Sequence, residues 1–250
     1  YSGGIASSGV TIKGADRYTH YAGVGTGLVP AVWTLTANAS NTTCLLYGCT
    51  LSEMLSAALR SDSEVRFCTF TNFGTITPGG ATIDNTSFLD LSTAAPISAV
   101  YAVDVATTAA TITSCTFIDC ATAVRWNVNA DTSGKLDGSS FISGGTGHGI
   151  ELGTNTPTTI SLVSVAFSGY GGTPGSNPTE SSGSTDAAIY NNSGKTITIN
   201  VSGGTTPSVR NGASATTIVN STVAVTVTPL AAGSEVRAYQ TGTSTEVDGI

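Results

Sequence analysis

A six-residue phrase recurs along the chain, and it constrains the fold more than any other feature of the sequence. Its pattern is a small residue, a small or polar residue, a large apolar residue, any residue, a polar turn-former and, in most copies, an apolar residue. The central residue recurs after 19, 18, 29, 24 and 26 residues, which is about 23 on average. A repeat of this length is typical of stacked solenoids, in which no single unit can bury its own apolar face. The six copies are Cys49–Met54, Cys68–Phe73, Thr86–Leu91, Cys115–Cys120, Ser139–Gly144 and Val165–Tyr170.

Within the phrase, positions 1 and 3 follow the period of two that is expected of a β-strand. The polar residue or glycine at position 5 breaks this alternation, because such residues bend the chain and the Asn and Asp among them tolerate left-handed backbone conformations. Position 6 then points inward again. We therefore expect the large residues at position 3 to form one inward-facing column. They are Leu51, Phe70, Phe88, Phe117, Phe141 and Phe167.

Two further strand-like fragments lie between successive copies of the phrase. One is the segment Ala123–Trp126, and the other is the segment Ala110–Thr113. Each has counterparts elsewhere in the chain, so three short strands per repeat predict three parallel sheets. An antiparallel sandwich also has short strands and frequent turns, but it gives no reason for one phrase to recur six times.

The segments Gly149-Ile150-Glu151-Leu152 and Ile112-Thr113-Ser114-Cys115-Thr116-Phe117 resemble the coil pattern of the pectate-lyase-like superfamily of right-handed parallel β-helices. The resemblance covers roughly residues 41 to 205. It implies an all-β fold, namely a right-handed single-stranded parallel β-helix of about six to seven coils. It implies little about function, because the superfamily includes lyases, hydrolases, phage tailspikes, adhesins and inert structural shafts.

The two ends of the sequence differ from the middle, which divides the chain into three segments. Residues 1–40 are Gly-rich and lack the phrase, so we expect an atypical N-terminal cap or assembly segment there, followed by the β-helix over residues 41–215. Residues 216–250 are expected to form a short C-terminal β strand or module that continues beyond Ile250 or is completed by another subunit. The run from Thr222 to Tyr239 resembles C-terminal segments of phage virion proteins. Residues 171–186 are expected to form a polar loop outside the stack.

Composition excludes several classes of function. Only 10% of the residues are charged, against about 25% in an average protein. The net charge is −7 and the nine basic residues form no cluster, which argues against nucleic acid and against docking to anionic lipid. The sequence has no apolar run long enough for membrane insertion.

The five cysteines are an odd number, and their spacing is not that of a zinc site. Three of them, Cys49, Cys68 and Cys115, occupy position 1 of the phrase. A cysteine thiol behaves as a small buried hydrophobe. We therefore expect these three side chains to be reduced and to form part of an inward-facing column of small residues.

No nucleotide-binding loop, zinc-protease motif, nucleophile elbow or calcium loop occurs in the sequence. We therefore assign no catalytic residue, no cofactor and no metal ligand, and we expect His20 and His148 to lie at the surface or in turns. Arg125 and Trp126 are expected to form an outward cation–π contact or a small carbohydrate-stacking site.

The polar residues at position 5 of the phrase are the only set of side chains in this sequence that suggests a catalytic site. Asp90 and Asp119 would lie on adjacent coils with their carboxylates about 5 Å apart, which is the separation in retaining glycosidases. A turn-former is needed at this position in every coil with or without catalysis, so the structural interpretation is preferred. The other members of the column are Glu53, Asn72 and Ser143.

The sequence thus favours a structural or adhesive virion component without catalytic activity, such as a phage fibre, spike or capsid decoration protein. Its expected location is the virion surface or the extracellular space. Its expected partners are copies of itself, most simply in a homotrimer, other virion proteins and host-surface carbohydrate. The alternatives are a tailspike-type glycosidase that uses Asp90 and Asp119, and a bacterial surface adhesin.

Overall fold

The computed structural model describes residues 10–13, 19–22, 33–36, 44–52, 54–91, 99–222, 235, 237–239 and 246–249. Within these residues the protein is all-β, with strands and turns and no helix. Most strands are three to seven residues long, because polar turns and glycines end them.

The strands are numbered in chain order. The first twelve are β1 (Val10–Lys13), β2 (Thr19–Ala22), β3 (Trp33–Thr36), β4 (Cys44–Tyr47), β5 (Cys49–Ser52), β6 (Met54–Ala58), β7 (Glu64–Arg66), β8 (Thr69–Phe73), β9 (Ile76–Thr77), β10 (Thr82–Asp84), β11 (Ser87–Leu91) and β12 (Val103–Val105). The others are β13 (Thr111–Thr113), β14 (Thr116–Ile118), β15 (Thr122–Trp126), β16 (Ser140–Ile142), β17 (His148–Leu152), β18 (Thr159–Val163), β19 (Ala166–Ser168), β20 (Ile189–Asn191), β21 (Thr196–Ser202), β22 (Val209–Asn211), β23 (Thr216–Thr222), β24 (Arg237–Tyr239) and β25 (Glu246–Gly249).

Four parallel sheets hold all of these strands except the last two. Sheet A has the order β1-β4-β7-β10-β13, sheet B the order β19-β16-β14-β11-β8-β5-β2, sheet C the order β22-β20-β17-β15-β12-β9-β6-β3, and sheet D the order β18-β21-β23. From β4 to β15 the chain visits sheets A, B and C in turn, which is compatible with a parallel β-helix. The prediction of parallel sheets is confirmed, whereas β24 and β25 form an antiparallel pair.

Both ends of the stack are built from segments that the sequence sets apart. Strands β1, β2 and β3 pair in parallel with β4, β5 and β6, so each extends one of the three sheets by a strand. Strand β23 is the last strand of sheet D and pairs with β21 over its whole length. The stacking of parallel strands therefore continues on either side of the residues that carry the phrase.

The position-3 side chains form the centre of the core. The rings of Phe70, Phe88, Phe117, Phe141 and Phe167 stack with successive centroid distances of 5.2, 4.6, 5.0 and 5.3 Å. Each ring is at most 8% exposed, and Leu51 is paired with Phe70 in the neighbouring strand. The inward column is confirmed.

In four of the six copies the position-1 side chain turns back onto the chain that precedes it. The thiols of Cys49, Cys68 and Cys115 lie 3.4, 3.3 and 3.3 Å from the carbonyl oxygen two residues earlier. The hydroxyl of Thr86 donates to the carbonyl oxygen of Asp84 in the same way, at 3.1 Å. All five cysteines are buried and none is in a disulfide bond, which confirms the expectation for the three at position 1. Burial raises the pKa of both Cys68 and Cys115 to about 12.

The residue immediately before each phrase has a left-handed backbone, a feature that the sequence pattern does not disclose. The six φ angles lie between 47° and 70°. Each backbone N–H donates across to the next coil, as from Phe67 to Asp84 at 3.2 Å and from Asn85 to Thr113 at 3.1 Å. The chain therefore turns the same corner at every level of the stack. The six residues are Gly48, Phe67, Asn85, Ser114, Gly138 and Ser164.

Phe67 is the one bulky side chain among these six, and its replacement by Asn is expected to stabilise the protein. Left-handed backbone costs about 1–2 kcal/mol for an ordinary residue and less for Asn, and little packing is lost because Phe67 is 49% exposed. We expect Phe67→Asn to raise the free energy of unfolding by about 0.5–1 kcal/mol in urea titrations. The reciprocal change, Asn85→Phe, should lower the free energy of unfolding. If both substitutions changed it equally and in the same direction, the left-handed backbone would not explain the cost of phenylalanine at this position.

Residues 171–186 cover an edge of the stack. Pro174 forms an antiparallel bridge with Ser208 next to β22, and Asn177 forms one with Thr217 in β23. Strands β22 and β23 are the edge strands of sheets C and D, and exposed edges are otherwise sites of unwanted pairing. The prediction of a loop lying outside the stack is therefore wrong for the part of the loop that forms these bridges.

Buried asparagines hold this covering segment in place. Asn191 and Asn211 are stacked in neighbouring strands and are at most 1% exposed. Asn191 donates to the hydroxyl of Thr217 at 3.0 Å, and that hydroxyl donates to Asn211 at 2.7 Å. The Asn211 amide in turn donates to the carbonyl oxygens of Asn177 at 2.6 Å and Thr179 at 3.0 Å. The chain of hydrogen bonds thus links the core of sheet C to the covering segment.

Candidate functional site

Five outward-facing side chains form a row across five neighbouring strands of sheet C, from β12 to the edge strand β22. The residues on either side of them along each strand are buried, so alternation directs the members of the row to the outer surface. Strand pairing places them in register, each beside the next. We call this set the arginine–tyrosine row. It consists of Asp104, Arg125, Glu151, Tyr190 and Arg210.

At one end of the row, Arg125 contacts an acid and an aromatic ring. Its Nε lies 2.8 Å from Oδ1 of Asp104, and its guanidinium lies 4.9 Å from the centroid of the Tyr101 ring. The predicted pairing with Trp126 is wrong. Trp126 is fully buried and donates its indole N–H to the carbonyl oxygen of Ala130 at 2.9 Å. Neighbouring residues of a strand point to opposite faces, so the aromatic partner of Arg125 comes from another coil.

At the other end, Arg210 lies over an aromatic ring and beside a histidine. Its guanidinium is 4.9 Å from the centroid of Tyr190, and its Nη1 is 3.5 Å from Nε2 of His148. His148 is only 6% exposed, so the prediction of a surface or turn position is wrong for this residue. Its Nδ1 lies 2.7 Å from the carbonyl oxygen of Ala187, which fits a neutral ring that donates from Nδ1 and accepts at Nε2.

Burial lowers the pKa of His148. The hydrogen bond to Ala187 opposes this shift, and the positive charge of Arg210 reinforces it. The unfolded chain, with a histidine pKa of about 6.5, therefore binds more protons than the folded chain in mildly acidic solution. The stability contributed by neutral His148 is present above the unfolded pKa and is lost as the pH falls below it.

A variant tests this pH dependence. Wild-type protein should lose thermal stability between about pH 7.5 and pH 5 more steeply than His148→Gln, because glutamine does not titrate. Scanning calorimetry at both pH values measures the difference, and His20 is common to both proteins. Parallel pH profiles would contradict the assignment of a neutral, buried imidazole.

A polar groove of about 800 Å³ lies next to the row. Most of its lining residues are asparagines and threonines, and they include Asn127, Asn155, Thr156 and the single lysine, Lys195. Asn127 follows Arg125 by two residues and so continues the same outer face; its side-chain oxygen accepts from the backbone N–H of Asn155 at 2.9 Å. The row and the groove therefore form one continuous polar surface.

Glu151 connects the charged and amide-bearing parts of this surface. Its Oε1 accepts a hydrogen bond from the side chain of Asn192 at 3.1 Å, across neighbouring strands. Together the row and the groove present guanidinium groups, tyrosine rings, carboxylates and amides. This combination suits the recognition of a polar ligand that also has flat apolar patches.

The position-5 residues of the phrase are turn-formers where the structure describes them. Asn72 and Asp119 have φ angles of 46° and 53°, as expected of residues that bend the chain. Asp119 is exposed, and its carboxylate lies against Gly144, where a Cβ atom would collide with it. Ser143 is half-buried and accepts from the backbone N–H of Gly145. Glu53 and the side chain of Asp90 lie outside the described residues.

A second polar cluster lies on the outer face of sheet A, and the sequence pattern did not suggest it. Tyr47 donates to Oε2 of Glu64 at 2.5 Å, and Arg66 lies 3.1 Å from the same oxygen and 3.7 Å from Asp84. The hydrogen bond from Tyr47 lowers the pKa of Glu64. Glu64 is thus held as a carboxylate, which suits an ion pair and not a proton donor.

Within the part of the chain that the structure describes, no three His, Cys, Asp or Glu side chains are grouped as metal ligands would be. The same residues include no helix that is long and apolar enough to cross a membrane. No protein-family model, curated protein or solved structure matches the chain.

Proposed function

We propose that this chain is a structural and adhesive component of an extracellular particle, such as a fibre, spike or capsid decoration protein of a virion, without catalytic activity of its own. The proposed architecture is a right-handed parallel β-helix of about six to seven coils. In this role the stack serves as a rigid shaft, and its outer faces make contact with other molecules. Copies of the same chain, other virion proteins and host-surface carbohydrate are the proposed partners.

The arginine–tyrosine row is the observation that carries the adhesive part of the proposal. Both of its carboxylates are already engaged, since Asp104 pairs with Arg125 and Glu151 accepts a hydrogen bond from Asn192. Stacked Arg–Tyr pairs present flat surfaces with hydrogen-bond donors at their edges. Such a surface supports binding of sugar rings or of a polar protein face more readily than proton transfer.

The virion assignment rests on two features of the sequence. The run from Thr222 to Tyr239 resembles phage virion segments, and the small proportion of charged residues suits subunits that pack together. Immunogold electron microscopy with antibodies against the chain tests the assignment in cultures of the source organism. Label on virus particles would support it, whereas label only on the cell envelope would support the bacterial adhesin.

Adhesion is tested by binding of the purified chain to immobilised cell-surface glycans. Substitution of Arg125 or Arg210 by Ala should weaken binding by about tenfold or more, since each removes a stacked cation. Arg60→Ala is the matched control, because Arg60 is a surface arginine that pairs with Asp62 outside the row. Equal binding by all of the variants would remove the row from the proposal.

A tailspike-type glycosidase that uses Asp90 and Asp119 is the second candidate. Strands β11 and β14 are neighbours in sheet B, and Asp119 is exposed, which supports a carboxylate pair at this place. Under the preferred proposal, Asp119→Asn should change the free energy of unfolding by less than about 0.5 kcal/mol relative to the wild type, because asparagine also tolerates the left-handed backbone. Release of reducing ends from bacterial polysaccharide by the wild type, abolished in Asp119→Asn, would favour the enzyme instead.

A further inference from the structure

Phe67 combines two unfavourable features in one residue. Its backbone is left-handed, with a φ angle of 55°, and the residue is 49% exposed. A bulky residue with a positive φ angle is a genuine outlier, and an exposed aromatic ring contributes little through burial. Strained residues of this kind cluster at functional sites. The combination therefore points to a role of the ring outside the fold.

The corner at which Phe67 lies is otherwise occupied by small or polar residues. In the coils on either side, the same corner holds Gly48, which has no side chain, and Asn85. The side chain of Asn85 donates to Oδ2 of Asp84 at 2.8 Å. The corner therefore presents one aromatic ring to solvent, with no second apolar side chain in the same column. The remaining corner residues are Ser114, Gly138 and Ser164.

A ladder of hydrogen-bonding side chains runs beside this corner, on the outer face of sheet A. Its members immediately precede corner residues in β4, β7, β10 and β13, and strand pairing places them in register. Consecutive residues lie only about 3.8 Å apart along the chain, so the ladder adjoins the corner of Phe67. We call this set the sheet A ladder. It consists of Tyr47, Arg66, Asp84 and Thr113.

Contacts on the same sheet hold these polar groups in place. Nε of Arg66 lies 3.1 Å from Oε2 of Glu64, and its Nη1 lies 3.7 Å from Oδ2 of Asp84. Oδ1 of Asp84 accepts from the hydroxyl of Thr113 at 2.9 Å. A guanidinium carries five N–H groups, so Arg66 keeps donors for a ligand after both contacts are made. A ligand beside Phe67 thus meets polar groups that need little further ordering.

We propose that Phe67 and the sheet A ladder form a binding site for an uncharged saccharide, with a sugar ring stacked on the ring of Phe67. A hexose ring has C–H groups on its faces and hydroxyls at its edge. It therefore fits one flat aromatic surface with fixed hydrogen-bonding groups beside it. The core of a protein interface instead needs several apolar side chains together. The assignment rests on the proposed adhesive role and adds a contact site separate from the arginine–tyrosine row.

The charges beside the ring favour a neutral sugar over an acidic one. Two carboxylates, those of Glu64 and Asp84, surround the single guanidinium of Arg66. The hydrogen bond from Tyr47 lowers the pKa of Glu64, which keeps that carboxyl group charged. A saccharide that carries its own carboxylate would add negative charge to a site that already has more acidic than basic groups. We therefore expect neutral oligosaccharides to bind more tightly than carboxylated ones.

Binding of the full chain to immobilised hexose oligosaccharides, neutral and carboxylated, tests the site, with urea titration of the same samples. Phe67→Asn should bind the neutral oligosaccharides about tenfold or more weakly and yet unfold at higher urea, because asparagine relieves the left-handed backbone. These opposite effects distinguish a lost ligand contact from a damaged fold. Phe67→Tyr keeps the ring and should restore most of the binding. Val100→Ala is the matched control, since it shortens an apolar side chain that is 60% exposed in the segment before β12.

The outcomes separate this site from the proposed function. Equal binding by Phe67→Asn and the wild type, or equal weakening by Val100→Ala, would overturn the site, while the Arg125 and Arg210 variants would still test the adhesive role. Tighter binding of carboxylated than of neutral oligosaccharides would also overturn it. A wild type that binds neither kind of oligosaccharide nor the cell-surface glycans would overturn both the site and the adhesive role.

Discussion

Replacement of Phe117 by Ala is expected to lower the free energy of unfolding by about 3–5 kcal/mol, the largest effect of any single substitution considered for this protein. The ring of Phe117 is 1% exposed and lies between Phe88 at 4.6 Å and Phe141 at 5.0 Å. Its removal leaves a cavity between two rings that belong to different strands and cannot both move inward. Urea titration followed by circular dichroism measures the loss.

The control for this substitution is Val100→Ala, because Val100 is 60% exposed and its side chain fills no cavity. We expect that control to change stability by less than about 0.5 kcal/mol. A loss below about 1 kcal/mol for Phe117→Ala would contradict the continuous ring column. A loss confined to the neighbouring coils, seen by hydrogen exchange, would support a stack that can open locally.

The second large effect is expected for Asn211→Ala. This change removes the donor to the carbonyl oxygens of Asn177 and Thr179, and it leaves the fully buried hydroxyl of Thr217 without its acceptor. The buried unsatisfied hydroxyl costs about 1–3 kcal/mol and each of the two other lost hydrogen bonds about 0.5–1.5 kcal/mol, so we expect a loss of about 2–4 kcal/mol after local rearrangement. Residues 171–186 should also become more sensitive to protease, because they lose the two hydrogen bonds that the Asn211 side chain donates to them.

Asn192→Ala is the matched control for this prediction, since Asn192 is an exposed asparagine immediately after β20, the neighbouring strand of the same sheet. It should leave both stability and the protease pattern nearly unchanged. Equal cleavage of the two variants within residues 171–186 would show that the asparagine network does not hold the covering segment.

The ring column and the buried cysteines could be predicted because the phrase repeats its own inward positions. Each copy places the same side chain at the same depth, so no knowledge of strand pairing was needed. The left-handed residue before each phrase escaped prediction because glycine, asparagine, serine and phenylalanine all occupy it. The shared property is a backbone angle and not a side-chain type.

The arginine–tyrosine row could not be predicted, because its register depends on the lengths of the connecting loops. Its members follow one another after 21, 26, 39 and 20 residues. The longest of these intervals contains residues 171–186, whose polar composition suits solvent and a covered strand edge equally well. Trp126 was misplaced because Arg125 and Trp126 were considered as a pair without regard to strand alternation. The roles of Asp90 and Asp119 stay predictions.

The buried cysteines have a consequence for where this protein can fold and work. Burial raises the pKa of Cys44 to about 11, so this thiol stays protonated at neutral pH, as do those of Cys68 and Cys115. The reactive form of cysteine is the thiolate, and a protonated thiol shielded from solvent reacts slowly with oxidants. The folded state thus needs neither an oxidising compartment to form nor a reducing one to persist. A chain of this kind can mature among the reductants of a cell interior and then withstand air outside it with its covalent structure unchanged.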